Sequence, residues 1–571
     1  MAQYLEFKKA KCKDCYKCLR ECPVKAIDVR DHQANIIEDR CILCGHCTNI
    51  CPQNAKVVHS EIENVKQLLA GGHTVIASVA PSFISSFRLQ NFTTMKIALA
   101  KLGFADAEET AVGAELVTER YRQQMLTGQY DNYITSACPA VCRLIQMYYP
   151  KALPFLAPVD SPMVAHAKLI KQRMPDAKVV FIGPCIAKKR EGYESGVVDC
   201  VLTFEDLARM FEERNVILDE IANIGLTLDM RGDHANLAKM YPVSHGIIKS
   251  FGAFPEGYEY MSVDGPDRCC DALSHIEDLH HVFLEINLCK DCCVNGPCSR
   301  EHLGGSITAT SEVREYVSRE RKELPSLMEP LQSDVDINAS YPRLRNFSMP
   351  VSERDIETIL HKTGKLTKED ELDCGACGYA TCRQKAWAVL NGYADIEMCV
   401  PYMRQRAESL SFEIIQNSPE GLIVLDADMN IVEVNGKCRE LLGIYETNVK
   451  GQPAVKYFKP IDFIIALNEK RHIVSKNMFI LETQKYVDLS INYLEGQNVL
   501  FGIMKDVTES VKYDKQLNKV KQETLATAED VIKKQMRVAQ EIASLLGETT
   551  AETKVALLKL KKTLESEEKG E

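Results

Sequence analysis

Three short stretches, TSACPAV (135–141), GPCIAKK (183–189) and LCKDCCVNG (288–296), decide how this chain is read. They carry Cys138, Cys185, Cys289 and Cys293. Sixteen of the 23 cysteines sort into four sets of four, and this is the one scattered set. Ligands drawn from remote segments require a fold that closes around a buried metal centre. Working outward, 571 residues are too many for one domain, and roughly 3–5 are expected. The apolar content of 45% and charged content of 26% are those of a globular protein. A net charge of −11 argues against a nucleic-acid partner. The start, MAQYLEFKKAKCKDC, runs straight into a cysteine motif and does not read as a signal peptide. No run of about 20 apolar residues marks a membrane span. Cysteines in this number without an export signal read as metal ligands, which sets the expectation of a reducing cytoplasm. The expected fold class is multidomain, part α+β and part α/β.

The other sets are compact. CKDCYKCLRECP carries Cys12, Cys15, Cys18 and Cys22, and CILCGHCTNICP carries Cys41, Cys44, Cys47 and Cys51, each followed by proline. This is the spacing of the bacterial two-cluster ferredoxin, in which the fourth ligand of each cube comes from the other repeat. One cluster is then expected on Cys12, Cys15, Cys18 and Cys51, the other on Cys41, Cys44, Cys47 and Cys22. Zinc or a disulfide knot is the competing reading. The module spans residues 1–60, and two clusters in it imply electron transfer.

Residues 61–350 read as α/β. VIASVAPSF (75–83) and KVVFIGPC (178–185) are buried-strand runs that alternate with helical stretches such as TTMKIALAKLGF (93–104). Cysteines at the ends of strands suit a site built over an α/β crevice. The three cysteine segments resemble the signatures of the iron-only (FeFe) hydrogenases, and the resemblance covers about 350 residues. It implies that Cys138, Cys185, Cys289 and Cys293 hold a 4Fe–4S cube. Cys293 would bridge to a diiron centre with carbonyl, cyanide and azadithiolate ligands. Lys188 matches a lysine that hydrogen-bonds a cyanide, a charge-assisted contact; the bland reading is a solvated lysine in the basic run Lys188, Lys189, Arg190. Lys188 and Cys293 are the residues implied at the reacting centre.

The departures are as telling. Where catalytic members carry a proton-relaying cysteine, this chain has Ala137. Two methionines of the family are replaced by Gly183 and Asn287, and the proton-path glutamates do not align around GAELVTERY (113–121). A positioned general acid–base group is worth roughly 10²–10⁴ in rate, so low activity is expected. The family has a sensory branch with this alanine. Cys292 and Cys298 either tune the cluster or are small buried hydrophobes.

Residues 351–404 hold the fourth set. DCGACGYATCRQKAWAVLNGYADIEMC carries Cys374, Cys377, Cys382 and Cys399, with Gly375 and Gly378 allowing a tight loop. It resembles a small 4Fe–4S domain of corrinoid iron–sulfur proteins and hydrogenase-like sensors; zinc with four thiolates is the alternative. Residues 405–510 resemble a PAS domain: GLIVLD and IVEVN as strands, DADMN as a turn, GKCRELLG as a helix and NVLFGIMKDVTES closing the fold. No ligand for it is identifiable. Residues 511–571 are charged and helical. Leu517, Thr524, Val531, Val538 and Leu545 recur at seven residues, as in a coiled-coil dimer, or in an amphipathic helix packing on its own protein.

The expectation is a cytoplasmic hydrogen or redox sensor with four 4Fe–4S clusters and a diiron subcluster. It would interconvert H2 and protons slowly, exchange electrons with a carrier protein, and signal as a homodimer to a partner such as a kinase or phosphatase. A competent hydrogenase exchanging electrons with a ferredoxin-type carrier, and an electron-transfer protein without the diiron centre, are the alternatives.

Overall fold

The computed structural model describes residues 4–8, 11–30, 32–222, 237–299, 305–323, 333–344, 349–446, 449–495, 498–546 and 550–566. The chain divides into two compact units, Met1–Met403 and Arg404–Glu571.

The first unit opens with the cysteine-rich repeats. Strand β1 (Leu5–Phe7) pairs antiparallel with β4 (Lys56–Val58), and β2 (Ile27–Arg30) with β3 (Gln33–Ile36). The short helices Lys17–Arg20 and His46–Asn49 each follow a left-handed residue, Tyr16 at φ 60° and Gly45 at φ 72°. At Gly45 a Cβ would stand 2.4 Å from the Pro297 ring, so the second repeat lies hard against the segment just after Cys293. Glycine is the residue that meets both demands.

The α/β expectation holds, and the strands form two parallel sheets. In the first, β5 (Val75–Val79), β6 (Asp106–Glu109), β8 (Lys178–Gly183) and β9 (Cys200–Thr203) run in the order β6-β5-β8-β9. In the second, β7 (Tyr133–Ile134), β10 (Glu259–Asp264) and β11 (Val282–Asn287) run in the order β10-β11-β7. Every residue of β5 is buried, as is every residue of β11, which is why both read as unbroken runs. The scattered cysteines follow the carboxyl ends of β7, β8 and β11. The helix Ala111–Leu126 approaches the helix Pro162–Arg173 so closely that a Cβ at Gly113 would stand 2.2 Å from the Pro162 carbonyl oxygen and 2.7 Å from His166 Cβ.

Of the fourth cysteine set, Cys374 and Cys377 lie between the helices Glu353–Lys362 and Cys382–Leu390, Cys382 opens the second helix and Cys399 follows it. Gly375 (φ 66°) and Gly378 (φ 87°) take the left-handed turns expected of them. A Cβ on Gly378 would stand 2.7 Å from Leu19 Cγ, so this small domain seats directly on the first cysteine repeat. Arg40 reinforces the seat, its guanidinium 4.4 Å from the centre of the Tyr393 ring.

The second unit holds a five-stranded antiparallel sheet, formed by β12 (Gly421–Leu425), β13 (Ile431–Val434), β14 (Ile473–Ile480), β15 (Lys485–Leu494) and β16 (Val499–Asp506) in the order β13-β12-β16-β15-β14. Its core gathers Ile423, Leu425, Phe463, Leu489 and Leu500. The turn at Asp426 and the helix Gly436–Leu442, capped by the buried Asn435, fall where the sequence put them. Thr508 ties the next element to the sheet: its Oγ1 donates to Asp506 (2.6 Å) and accepts from the Tyr486 amide (2.9 Å). From it runs one helix of 39 residues, Thr508–Leu546, followed by Thr550–Ser566. On the long helix Leu517, Val531 and Val538 are about half exposed; the Leu545 side chain lies outside the described residues. Among the described residues no helix is long and apolar enough to cross a membrane.

Candidate metal centre

The two parallel sheets aim their carboxyl ends at one cavity of about 100 Å³. Cys138, Cys185, Cys289 and Cys293 all line it, together with Lys188, Ala137 and Asn287. The fold thus brings the scattered set together. Burial pushes the Cys185 thiol up to about 11, with Cys138 adding to it and Lys188 opposing. Cys289 and Cys293 are driven higher still, first by burial; Cys293, Cys185 and Cys138 then add to Cys289, and Cys138 and Cys185 to Cys293, where Lys188 opposes. Cys185, Cys289 and Cys293, crowded out of water, resist ionising until a cation takes their charge, which is the behaviour of a metal pocket.

Lys188 is buried, not part of a solvated run. Its Nζ donates to Ser161 Oγ (2.8 Å) and Glu191 Oε2 (2.7 Å). Burial works against its charge, but the Glu191 carboxylate and then Cys185 and Cys138 outweigh it, so its pKa is raised. Lys189 is also buried; it donates to the Val201 carbonyl (2.7 Å) and pairs with Glu61 and Asp206. Arg190 reaches back to the Cys41 carbonyl at 3.1 Å.

The replaced family positions have local reasons. At Gly183 a Cβ would stand 2.7 Å from the Phe181 ring, which fills the space a longer side chain would take. Asn287 is buried, and its Nδ2 has no partner among the described residues. It is a spare donor on the cavity wall, suited to an anionic or carbonyl-bearing ligand. Two of the extra cysteines donate to backbone next to the ligands: Cys142 Sγ to Ser136 O (3.4 Å) and Cys269 Sγ to Asn287 O (3.2 Å). Cys292 and Cys298 are buried, Cys292 lying 3.4 Å from Ser244 Oγ.

The repeats come together crosswise. Burial raises the Cys18 thiol, Lys56 opposes it, and Cys51, Cys15 and Cys12 add to it. Burial also raises Cys44, with Cys22, Cys47 and Cys41 contributing. Matching amide donors serve both repeats, Ala26 N to Cys22 Sγ (3.3 Å) and Ala55 N to Cys51 Sγ (3.4 Å). Cys289 feels the charge of Cys44, so the second crossed set borders the scattered one.

Cys374, Cys377, Cys382 and Cys399 line a small cavity with two buried lysines, Lys365 and Lys385. Lys365 Nζ lies 3.5 Å from Cys399 Sγ, and Lys385 Nζ donates to Ile396 O at 2.8 Å. Two ammonium groups here suit a site that carries net negative charge when filled. Sequence spacing gave no signal for either lysine. Among the described residues no three His, Cys, Asp or Glu side chains converge as for a single metal ion.

Four stretches of the chain match known families. Residues 73–297 match the C-terminal domain of the iron only hydrogenase large chain, residues 4–52 a 4Fe-4S dicluster domain, residues 370–401 a putative Fe-S cluster domain and residues 412–501 the PAS fold. The large subunit of the periplasmic [Fe] hydrogenase of Nitratidesulfovibrio vulgaris is 28% identical over 315 residues, 48% of this chain and 75% of that protein. The cytosolic iron-sulfur assembly component 3 of Rattus norvegicus is 24% identical over 234 residues, 34% of this chain; the chain spans about half of that relative, 49%. An apo [FeFe]-hydrogenase from Chlamydomonas reinhardtii superposes on 50% of this chain and 99% of its own, at 16% identity and a TM-score of 0.37.

Proposed function

We propose that this FeFe-hydrogenase-like iron–sulfur protein with a PAS domain is a sensor of hydrogen or redox state, interconverting H2 and protons slowly. The observation that carries the reading is the cavity wall at residue 137: four thiols and Lys188 converge there, while Ala137 offers only a methyl group. Cys138, Cys185, Cys289 and Cys293 would hold a cube, with Cys293 bridging onward and Lys188 and Asn287 Nδ2 as donors to the bridged group's anionic ligands. A diiron centre bound there would supply the site at which hydrogen is split or formed. The crossed set beside Cys289 gives electrons a way out through the ferredoxin module to a carrier protein.

We assign 1–60 to that module, 61–350 to the hydrogenase-like core, 351–404 to the small cluster domain, 405–510 to the PAS domain and 511–571 to the output helices. The setting is a reducing cytoplasm. Iron and sulfide analysis of anaerobically reconstituted protein should give about sixteen iron, four cubes, before any diiron centre is added. After maturation, infrared bands of bound carbonyl and cyanide are expected. A protein that fills its cubes but shows no such bands is an electron-transfer protein.

The output is a helix pair between two copies of the chain. Leu517, Val531 and Val538 form a stripe on a helix that starts directly at the sheet, and a two-state pair is an element that a redox event can bias. Val531→Asp with Val538→Asp should convert dimer to monomer by light scattering and leave cluster spectra unchanged. A double variant that stays dimeric places the signal on another surface.

A further inference from the structure

We propose that Thr110, Ser78, His166 and Glu108 form a proton path between the cavity lined by Cys293 and the protein surface. The proposal rests on the reading that hydrogen chemistry takes place in that cavity, and it names how this chain moves the protons.

The chain of contacts is continuous. Thr110 lines the cavity. Its Oγ1 lies 2.8 Å from Ser78 Oγ, and Ser78 Oγ lies 2.8 Å from His166 Nδ1. On the far side of the ring, His166 Nε2 lies 3.1 Å from Glu108 Oε2. Glu108 is in turn gripped by Arg173 Nη2 at 2.6 and 2.8 Å, and the Arg173 side chain is 45% exposed. Ser78 and His166 are fully buried and Thr110 nearly so. The stations before Glu108 are hydroxyls and an imidazole, groups that both give and accept a proton.

The fold builds this line from three elements. Ser78 sits within β5, Glu108 is in β6 and Thr110 just follows it, and His166 and Arg173 share the helix Pro162–Arg173. Gly113 lets the helix after Thr110 close onto His166, since any Cβ there would strike that residue. The bland reading is a polar clamp between strand and helix. What a clamp does not require is that its inner end reach the metal cavity and its outer end a partly exposed guanidinium.

Burial opposes the charge on Glu108, but the hydrogen bonds and charges of His166 and Arg173 outweigh it and bring its pKa down to about 2. Glu108 is therefore a carboxylate and accepts from Nε2–H; in the neutral ring, the form that carries the transfer, Nδ1 accepts from Ser78. Outward transfer then balances simply. A proton from the cavity bonds to Thr110 Oγ1 as the Thr110 O–H bond breaks toward Ser78. The Ser78 proton passes to His166 Nδ1, and the imidazolium releases its Nε2 proton to Glu108, which gives it to water. One bond forms as each breaks, one proton is moved, and no electron travels this way.

The test uses matured full-length protein. Thr110→Val removes the hydroxyl and keeps the shape, Ser78→Ala breaks the next link, and Thr110→Ser restores a hydroxyl. In the first two, the carbonyl and cyanide bands should stay in place. The rate at which the bands interconvert after flash reduction should fall roughly tenfold or more, with a changed H2O/D2O ratio, and Thr110→Ser should recover it to within about twofold. Native-like rates and isotope ratios in both Thr110→Val and Ser78→Ala overturn the path while leaving the sensor reading intact. Should these variants fail to fold, nitrogen-15 spectra of histidine-labelled, unmatured native protein decide the matter. A proton on Nε2 with Nδ1 bare is expected, and the reverse tautomer overturns the path. A native protein that matures without carbonyl or cyanide bands overturns the hydrogen reading itself, a result distinct from both.

Discussion

Ala137→Cys raises hydrogen turnover in the matured protein by roughly 10- to 100-fold. Residue 137 lies on the wall of the cavity beside Cys138, and its carbonyl oxygen is 3.5 Å from the Lys188 ammonium. A thiol there gives the cavity an exchangeable proton at the position where the family resemblance implies a relaying cysteine. A well-placed acid–base group is worth roughly 10²–10⁴, and the gain falls at the lower end because the rest of that route is not rebuilt. Gas-phase assay of hydrogen evolution, native against variant at equal cluster content, measures it. If native turnover already equals that of a fast hydrogenase, the sensory reading fails.

Lys188→Met abolishes the infrared bands of bound carbonyl and cyanide while the protein keeps about sixteen iron in its cubes. Methionine preserves the bulk of the side chain but removes the ammonium that faces Glu191, Ser161 and the cavity. Breaking a buried ion pair from one side typically costs about 3–5 kcal/mol; Glu191 keeps some access to water, so about 3 kcal/mol is expected in folding stability. Thermal unfolding and infrared spectra of matured Lys188→Met check the two halves separately. Unshifted bands at native intensity would show that Lys188 is a structural lysine of the Glu191 pair and no donor to a bound group.

The compact cluster sites were legible because a cube takes most of its ligands from one tight loop, so spacing alone reports them. The scattered set was legible only as three segments taken together; the sequence does not state that β7 pairs with β11 and brings Cys138 beside Cys289. Lys188, Lys189 and Arg190 look alike in the sequence, yet each has a different partner, because successive positions of a short helix face the cavity, β9 and the second cysteine repeat. His166 sits in PMVAHAKLIKQR, a helix whose pattern says only that one face is apolar. Its links to Ser78 and Glu108 cross between elements and leave no periodic mark. Lys365 and Lys385 were missed for the same reason. In the PAS unit the reading was close, since its strands alternate buried and half-buried residues and its turn at Asp426 is made by local hydrogen bonds.

The split of the scattered site between two sheets fixes an order of completion during synthesis. The first eight cysteines are all present once Cys51 has left the ribosome, and their strands pair within nearly that same stretch. The four scattered thiols cannot face one another until Phe283 has emerged to pair with Tyr133, and Cys293 follows it. At roughly 5–20 residues per second, the roughly 240 residues between Cys51 and Cys293 take on the order of 10 to 50 s to appear. The eight thiols of the repeats can therefore gather long before the scattered four do.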